Sequence, residues 1–126
     1  MKDSATYIDL MIAACQKIAD FTGGLDKTTF LYQEMAQSAV IMQLQVLGEM
    51  AKKLDETTKQ EIKAPWSMII GLRNIISHDY FALDLMSVWN IAVVNVSDLE
   101  SKLHAYLKKH NLKYLPPFSD TTPLMG

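Results

Sequence analysis

The stretch Pro65-Trp66-Ser67-Met68-Ile69-Ile70-Gly71-Leu72-Arg73-Asn74-Ile75-Ile76-Ser77-His78-Asp79-Tyr80-Phe81 carries its apolar residues at helical, not alternating, spacing. Proline suits the first position of a helix, because the N–H it lacks would go unbonded there. The spacing predicts a helix from Pro65 to about Ser77. Trp66, Ile69, Ile70, Leu72, Ile75 and Ile76 make it apolar over most of its circumference. Such a helix is central or lies in an interface. The rest of the chain reads as scaffold around it.

Working outward, the same three- and four-residue steps recur on both sides. Tyr7, Met11, Ala14, Cys15 and Ile18 predict an amphipathic helix from Ser4 to about Asp20, with Asp3 or Ser4 as its cap and Gly23-Gly24 as its end. Asp26 is a second cap, for a short helical piece over Lys27 to Tyr32. A long helix is expected from Gln33 to Leu54, on the stripe Ala36, Val40, Leu44, Leu47, Ala51 and Leu54. Asp55 to Lys63 is polar and reads as a short helix plus linker. Asp84 caps a last helix to about Lys108. Its stripe is Leu85, Val88, Trp89, Ala92, Val96, Leu99, Leu103 and Tyr106 or Leu107. No strand pattern and no repeat appears. The expected fold is all-α, a compact antiparallel bundle of four main helices over residues 1–113, with an extended C-terminal tail at 114–126. The eight methionines read mostly as adaptable core filling.

The chain has 126 residues, 49% hydrophobic and 21% charged, which indicates one globular domain and not a disordered segment. The single cysteine, Cys15, excludes an internal disulfide and a cysteine-based metal cluster. Met1-Lys2-Asp3-Ser4 lacks the pattern of a signal peptide, and no apolar run approaches the roughly 20 residues that span a bilayer. A soluble, cytoplasmic protein without a membrane partner is expected. With a formal net charge of −2, nucleic acid must be met at a local site and not by the whole surface. Lys52-Lys53 and Lys108-Lys109-His110 with Lys113 read as solvated helix faces.

Arg73 is the only arginine in the chain. Its guanidinium is a planar fork of donors matched to phosphate oxygens. His78 follows five residues on, and histidine titrates near neutrality and can take or give a proton. Tyr80 follows two residues later. RNA brings its own nucleophile, the 2′-hydroxyl. A histidine can deprotonate it while an arginine stabilises charge on the phosphate, with no metal or other cofactor required. Five residues correspond to about 140° of net rotation on a helix, so Arg73 and His78 do not share a face. Either a turn redirects His78, or the site combines two chains about a two-fold axis. A structural pairing, arginine with a carboxylate and histidine with the helix C-terminus, accounts for the same residues.

Arg73-Asn74 with His78 resembles the R-x4–6-H signature of the HEPN ribonucleases, and Arg73, His78 and Tyr80 together are similar to the R-x4-H-x-Y form of its HepT branch. Leu47-Gly48-Glu49-Met50-Ala51-Lys52-Lys53-Leu54, Pro65-Trp66 with Ile69 to Asn74, and Tyr80 to Asp84 with Val88-Trp89 resemble further stretches of that family. The resemblance runs from about Tyr7 to Leu107. It implies a HEPN-like homodimer that cuts RNA, not DNA, without metal, as the toxin of a type II or type VII toxin–antitoxin system. Arg73 and His78 would be catalytic, and Asn74 would orient the site. An MntA-type nucleotidyltransferase antitoxin would silence it by AMPylation of Tyr80. Asp79 stands where many relatives carry glycine. Glu49 is expected either toward the cleft or in a solvent-exposed or ion-paired role. The rival readings are a non-catalytic helical module that binds a nucleotidyltransferase, and a bundle that is only a substrate for AMP transfer.

Overall fold

The computed structural model of the chain describes residues 3–117. Asp3, Asp26 and Asp55 start helices in the first half of the chain. Asp3 accepts from the Thr6 N–H at the head of α1 (Ser4–Thr22). Asp26 accepts from Thr29 at α2 (Lys27–Phe30), and Asp55 accepts from Thr58 at α4 (Glu56–Ile62), each at 2.7 Å. These backbone N–H groups hold all three carboxyls below their ordinary range, because the bond favours the charged form. The Asp55 cap makes most of the polar stretch a helix. It closes on Lys63 in the left-handed conformation, φ 55° and ψ 45°.

Helix α3 (Glu34–Lys53) runs between α1 on one side and α5 (Trp66–His78) on the other. Val40, Leu44, Leu47 and Ala51 of the expected stripe are buried, and Ile41 and Gly48 join them. After α5, a single 3-10 turn (Tyr80–Ala82) leads to Asp84, which caps α6 (Leu85–Asn90). A π-helical turn (Ile91–Asn95) carries α6 into α7 (Val96–Lys109). The expected last helix is thus one rod with one wide turn. There the Val96 N–H reaches back five residues to the Ile91 carbonyl. The extra residue lets Val88, Trp89 and Ala92 before it, and Val96, Leu99, Leu103 and Leu107 after it, all face inward. Leu107, not Tyr106, takes the last inward place.

The core gathers Ile8, Met11, Ile12 and Ile18 of α1, the central residues of α3 and the inner face of the rod. Phe30 of α2 is fully buried, its ring tilted 5.2 Å from that of Trp89. Cys15 lies in this core, and burial pushes its thiol pKa up. The methionines correct their expected role. Met11 is core, but Met35, Met42 and Met86 are exposed, and Met50 and Met68 are partly buried. Two members of the basic cluster at the end of α7 are tied down. Glu61 of α4 accepts from His110 at 2.6 Å and pairs with Lys109 at 3.5 Å. Tyr114 still packs on the core, and residues 118–126 of the expected tail lie outside the described residues. Among the described residues there is no strand, and no helix is long and apolar enough to cross a membrane.

Phe30→Ala empties the contact that fixes α2 under the rod. Equilibrium denaturation should show a loss of about 3–5 kcal/mol, and a cost below about 1 kcal/mol would contradict this packing.

Candidate functional site

Arg73 leaves α5 on the side that faces α3, with Ile69, Ile76 and Ser77. Its approach is close because position 48 is glycine. A Cβ added at Gly48 would overlap the Arg73 Cβ, lie 2.8 Å from its Cγ and come within 3.2 Å of the Ile69 carbonyl. The next residue on α3, Glu49, takes the guanidinium: Oε1 accepts from Nε and is paired with Nη2. Only 17% of the Arg73 side chain and 32% of the Glu49 side chain remain exposed. Of the expectations for Glu49, toward the cleft, solvent-exposed or ion-paired, the ion pair is the one found. Gln45 adds a bond from Nε2 to the Ser77 hydroxyl, 3.4 Å, one turn further along the same contact.

The remaining face of the guanidinium is directed outward. Nη1 donates to Asn74 Oδ1 at 3.1 Å. Asn74 is exposed, and His78 stands four residues on, on the same outer face of α5 and also exposed. Helix α5 runs on through His78, and the Asp79 N–H bonds the Ile75 carbonyl at 2.8 Å. The turn therefore follows His78 and does not redirect it. Arg73 and His78 start about 140° apart on one helix, and Asn74, bonded to Arg73, lies on the His78 side of it. Asp79 has φ −151° and ψ 59°, a negative φ that does not require glycine, so aspartate fits where glycine is common. Its own carbonyl closes the next turn onto Ala82 at 2.9 Å.

Tyr80 lies beyond that break and is half exposed, its ring edge-on to Phe81 at 6.0 Å. It is near His78 in the chain but belongs to the 3-10 turn and not to α5. On the other flank, a groove between α4 and α5 passes Lys59, Lys63, Trp66 and Ser67 and opens at Asn74. Trp66 is fixed there by its Nε1 bond to the Lys59 carbonyl, 2.9 Å. The outer side of α5 is uncovered in the protomer. Ile75 is exposed, and a Cβ added at Gly71 would meet no atom within 4 Å. Among the described residues, no three His, Cys, Asp or Glu side chains are placed to hold a metal ion. Sequence reading did not find Gly48 as a positioning residue. Its one signal was the Gly48-Glu49 pair inside an otherwise glycine-free helix.

Comparison with known proteins covers the same part of the chain. A family model described as Ribonuclease HepT-like matches residues 11–106. A protein of Methanocaldococcus jannaschii named "Putative RNase" is 25% identical over 103 residues, covering 81% of this chain and 94% of its own length. Another from that organism, with the same description, is 28% identical over 108 residues, covering 85% and 89%. A protein of Thermococcus cleftensis named "Probable ribonuclease HepT" is 26% identical over 103 residues, covering 81% and 94%. No solved structure matches the chain.

Gly48→Ala places a methyl group in the α3–α5 contact. Overpacking of this kind costs about 1–3 kcal/mol. Thermal melting should report that loss, whereas Gly71→Ala, with open space around it, should leave the protomer's melting unchanged or raise it.

Proposed function

The chain belongs to the HepT-like ribonuclease family, and from that premise we propose that it is a toxin of a two-gene toxin–antitoxin system, an endoribonuclease that cuts RNA without a metal ion. The observation that carries this reading is the geometry of α5. One guanidinium is anchored behind by Glu49 and held by Asn74 at the outer face, beside an exposed His78. An arginine so held cannot swing to follow the phosphate, so its charge is in place before the reaction. Its role is to stabilise the negative charge that grows on the non-bridging oxygens as the 2′-oxygen attacks phosphorus. The 2′-hydroxyl loses its proton to a histidine, and the departing 5′-oxygen receives one.

One His78 cannot hold both roles at once. Two copies of α5 about a two-fold axis supply two histidines and two arginines to one cleft, one imidazole as base and the other, protonated, as acid. The uncovered outer face of α5, with Ile75 exposed and Gly71 open, supports such a homodimer. Helix α5 running on through His78 supports it too, since within one protomer Arg73 and His78 diverge. The groove past Lys63 and past Lys59, which pairs with Glu56, leads to Asn74 and offers the RNA backbone a path there.

Tyr80 is the proposed off switch, modified with AMP by an MntA-type nucleotidyltransferase partner. Its ring is half exposed on a turn outside the core, so an enzyme can reach it without unfolding the bundle. The added phosphodiester puts a negative charge two residues from His78, where the RNA phosphate must lie.

Incubation of purified protein with RNA in EDTA should give cleavage products. His78→Ala and Arg73→Ala, folded by circular dichroism, should each lose at least about a hundredfold in rate, the scale of one general acid–base group. Cleavage equal to that of the unsubstituted chain would sink the assignment. Ile75→Arg should sediment as a monomer and lose cleavage with it. Co-expression with the partner should add the mass of an adenylyl group to the chain but not to Tyr80→Phe, and an adduct that persists on Tyr80→Phe would exclude that site.

A further inference from the structure

We propose that the recess between α3 and the Tyr80–Ala82 turn is a nucleobase site, in which Phe81 is the stacking platform for one unpaired base of the RNA. The inference rests on the ribonuclease reading and adds the form of the substrate: a single strand, one base of which leaves its neighbours and enters the recess.

Phe81 is 99% exposed. Burial of a phenylalanine ring is worth about 1.5–3 kcal/mol, and nothing in the protomer's packing recovers it. The ring stands three residues after His78, on the turn that ends α5. Tyr80 meets it edge-on at 83°. The two rings form one side of the recess, Ile41 is on its apolar side, and Glu34, Gln37 and Ser38 of α3 present polar groups. Its volume is about 340 Å³, at the low end of ligand pockets, which suits a single ring system and not a folded ligand.

The chemistry of these walls selects a base over a phosphate. The lining carries a carboxylate, Glu34, and no lysine or arginine, so a phosphodiester is repelled. A base is flat, apolar on its faces, and lined at its edge with donors and acceptors. Gln37 and Ser38 can each donate and accept, and the Gln37 amide is already fixed by its Nε2 bond to the Phe30 carbonyl, 2.9 Å. Single-stranded RNA is the form that offers such a base, since its bases can be splayed out onto aromatic side chains, while a duplex keeps them stacked. The phosphate next to the captured base then lies near the exposed end of α5.

The test measures binding with cleavage removed. His78→Ala protein is titrated into a short, unstructured, fluorescently labelled oligoribonucleotide, alone and with Phe81→Ala or Phe81→Trp added. Phe81→Ala should weaken binding about tenfold, the usual effect of removing one stacking ring. Phe81→Trp should bind within about twofold of the parent, and a duplex of the same sequence should bind more weakly than the single strand. Phe81 is outside the core, so melting should not change. Unchanged affinity in Phe81→Ala overturns the site, and so does a duplex bound as tightly as the single strand. Loss of self-association in Phe81→Ala with RNA binding intact would make Phe81 a protein contact instead, which also overturns it. RNA cleavage by the unsubstituted chain separates the two layers. Cleavage with Phe81-independent binding leaves the ribonuclease without the recess, while Phe81-dependent binding without cleavage leaves the recess without the ribonuclease.

Discussion

Arg73 and Glu49 meet across the contact between α5 and α3, and Gly48 sets how closely the two helices approach. A side chain at position 48 would push against the Arg73 stem and the Ile69 carbonyl. With glycine there, the guanidinium falls beside the carboxylate of the next residue, and both are largely withdrawn from water. Such a pair loses hydration that its mutual attraction only partly returns. Its value lies in direction more than in stability. The Nε edge and Nη2 are engaged behind, so Nη1 is the group left to reach Asn74 and the surface.

Helix α5 consequently has two jobs on two sides. Its inner side, with Ile69 and Ile76, holds the bundle together. Its outer side presents Asn74 and His78 and leaves Ile75 exposed. Sequence reading placed this helix as central or as part of an interface. It packs centrally on one side, and on the proposed reading its other side becomes the interface. The 3-10 turn after it is the least buried part of the region, with no buried residue of its own. That exposure is compatible with modification at Tyr80 and with a ligand at Phe81.

Most of the fold was legible because it rests on short-range rules. Inward-facing residues at steps of three and four set the long helices, and Asp3, Asp26 and Asp84 marked starts that the structure caps with those same side chains. The helix over Glu56–Ile62 was half seen, because its polar composition hides a cap whose effect depends on local hydrogen bonding. The π turn was not seen. One added residue leaves the stripe almost intact, and both steps across it, Ala92 to Val96 and Val96 to Leu99, look helical. At the candidate site the residue types were legible and their relations were not. Whether Glu49 faced a cleft or a cation depends on a helix 24 residues away in the chain. Of the two ways offered to bring Arg73 and His78 together, a turn or a second chain, the turn does not serve, because backbone hydrogen bonding continues to Asp79 and keeps His78 on α5.

The Glu49 pairing also governs how the chain would hold a polyanion. A guanidinium already matched by a carboxylate adds little net field, and the chain as a whole carries −2. Each phosphate neutralised on a single strand contributes only about −0.7 to the slope of log affinity against log salt. With that guanidinium and the groove lysines Lys59 and Lys63 as the cations facing the strand on the proposed reading, few condensed counterions would be released on binding. The molecule would therefore neither coat RNA nor slide along it. Residence at any one position would be brief, and the choice of where to stop would pass from the backbone charge to the bases.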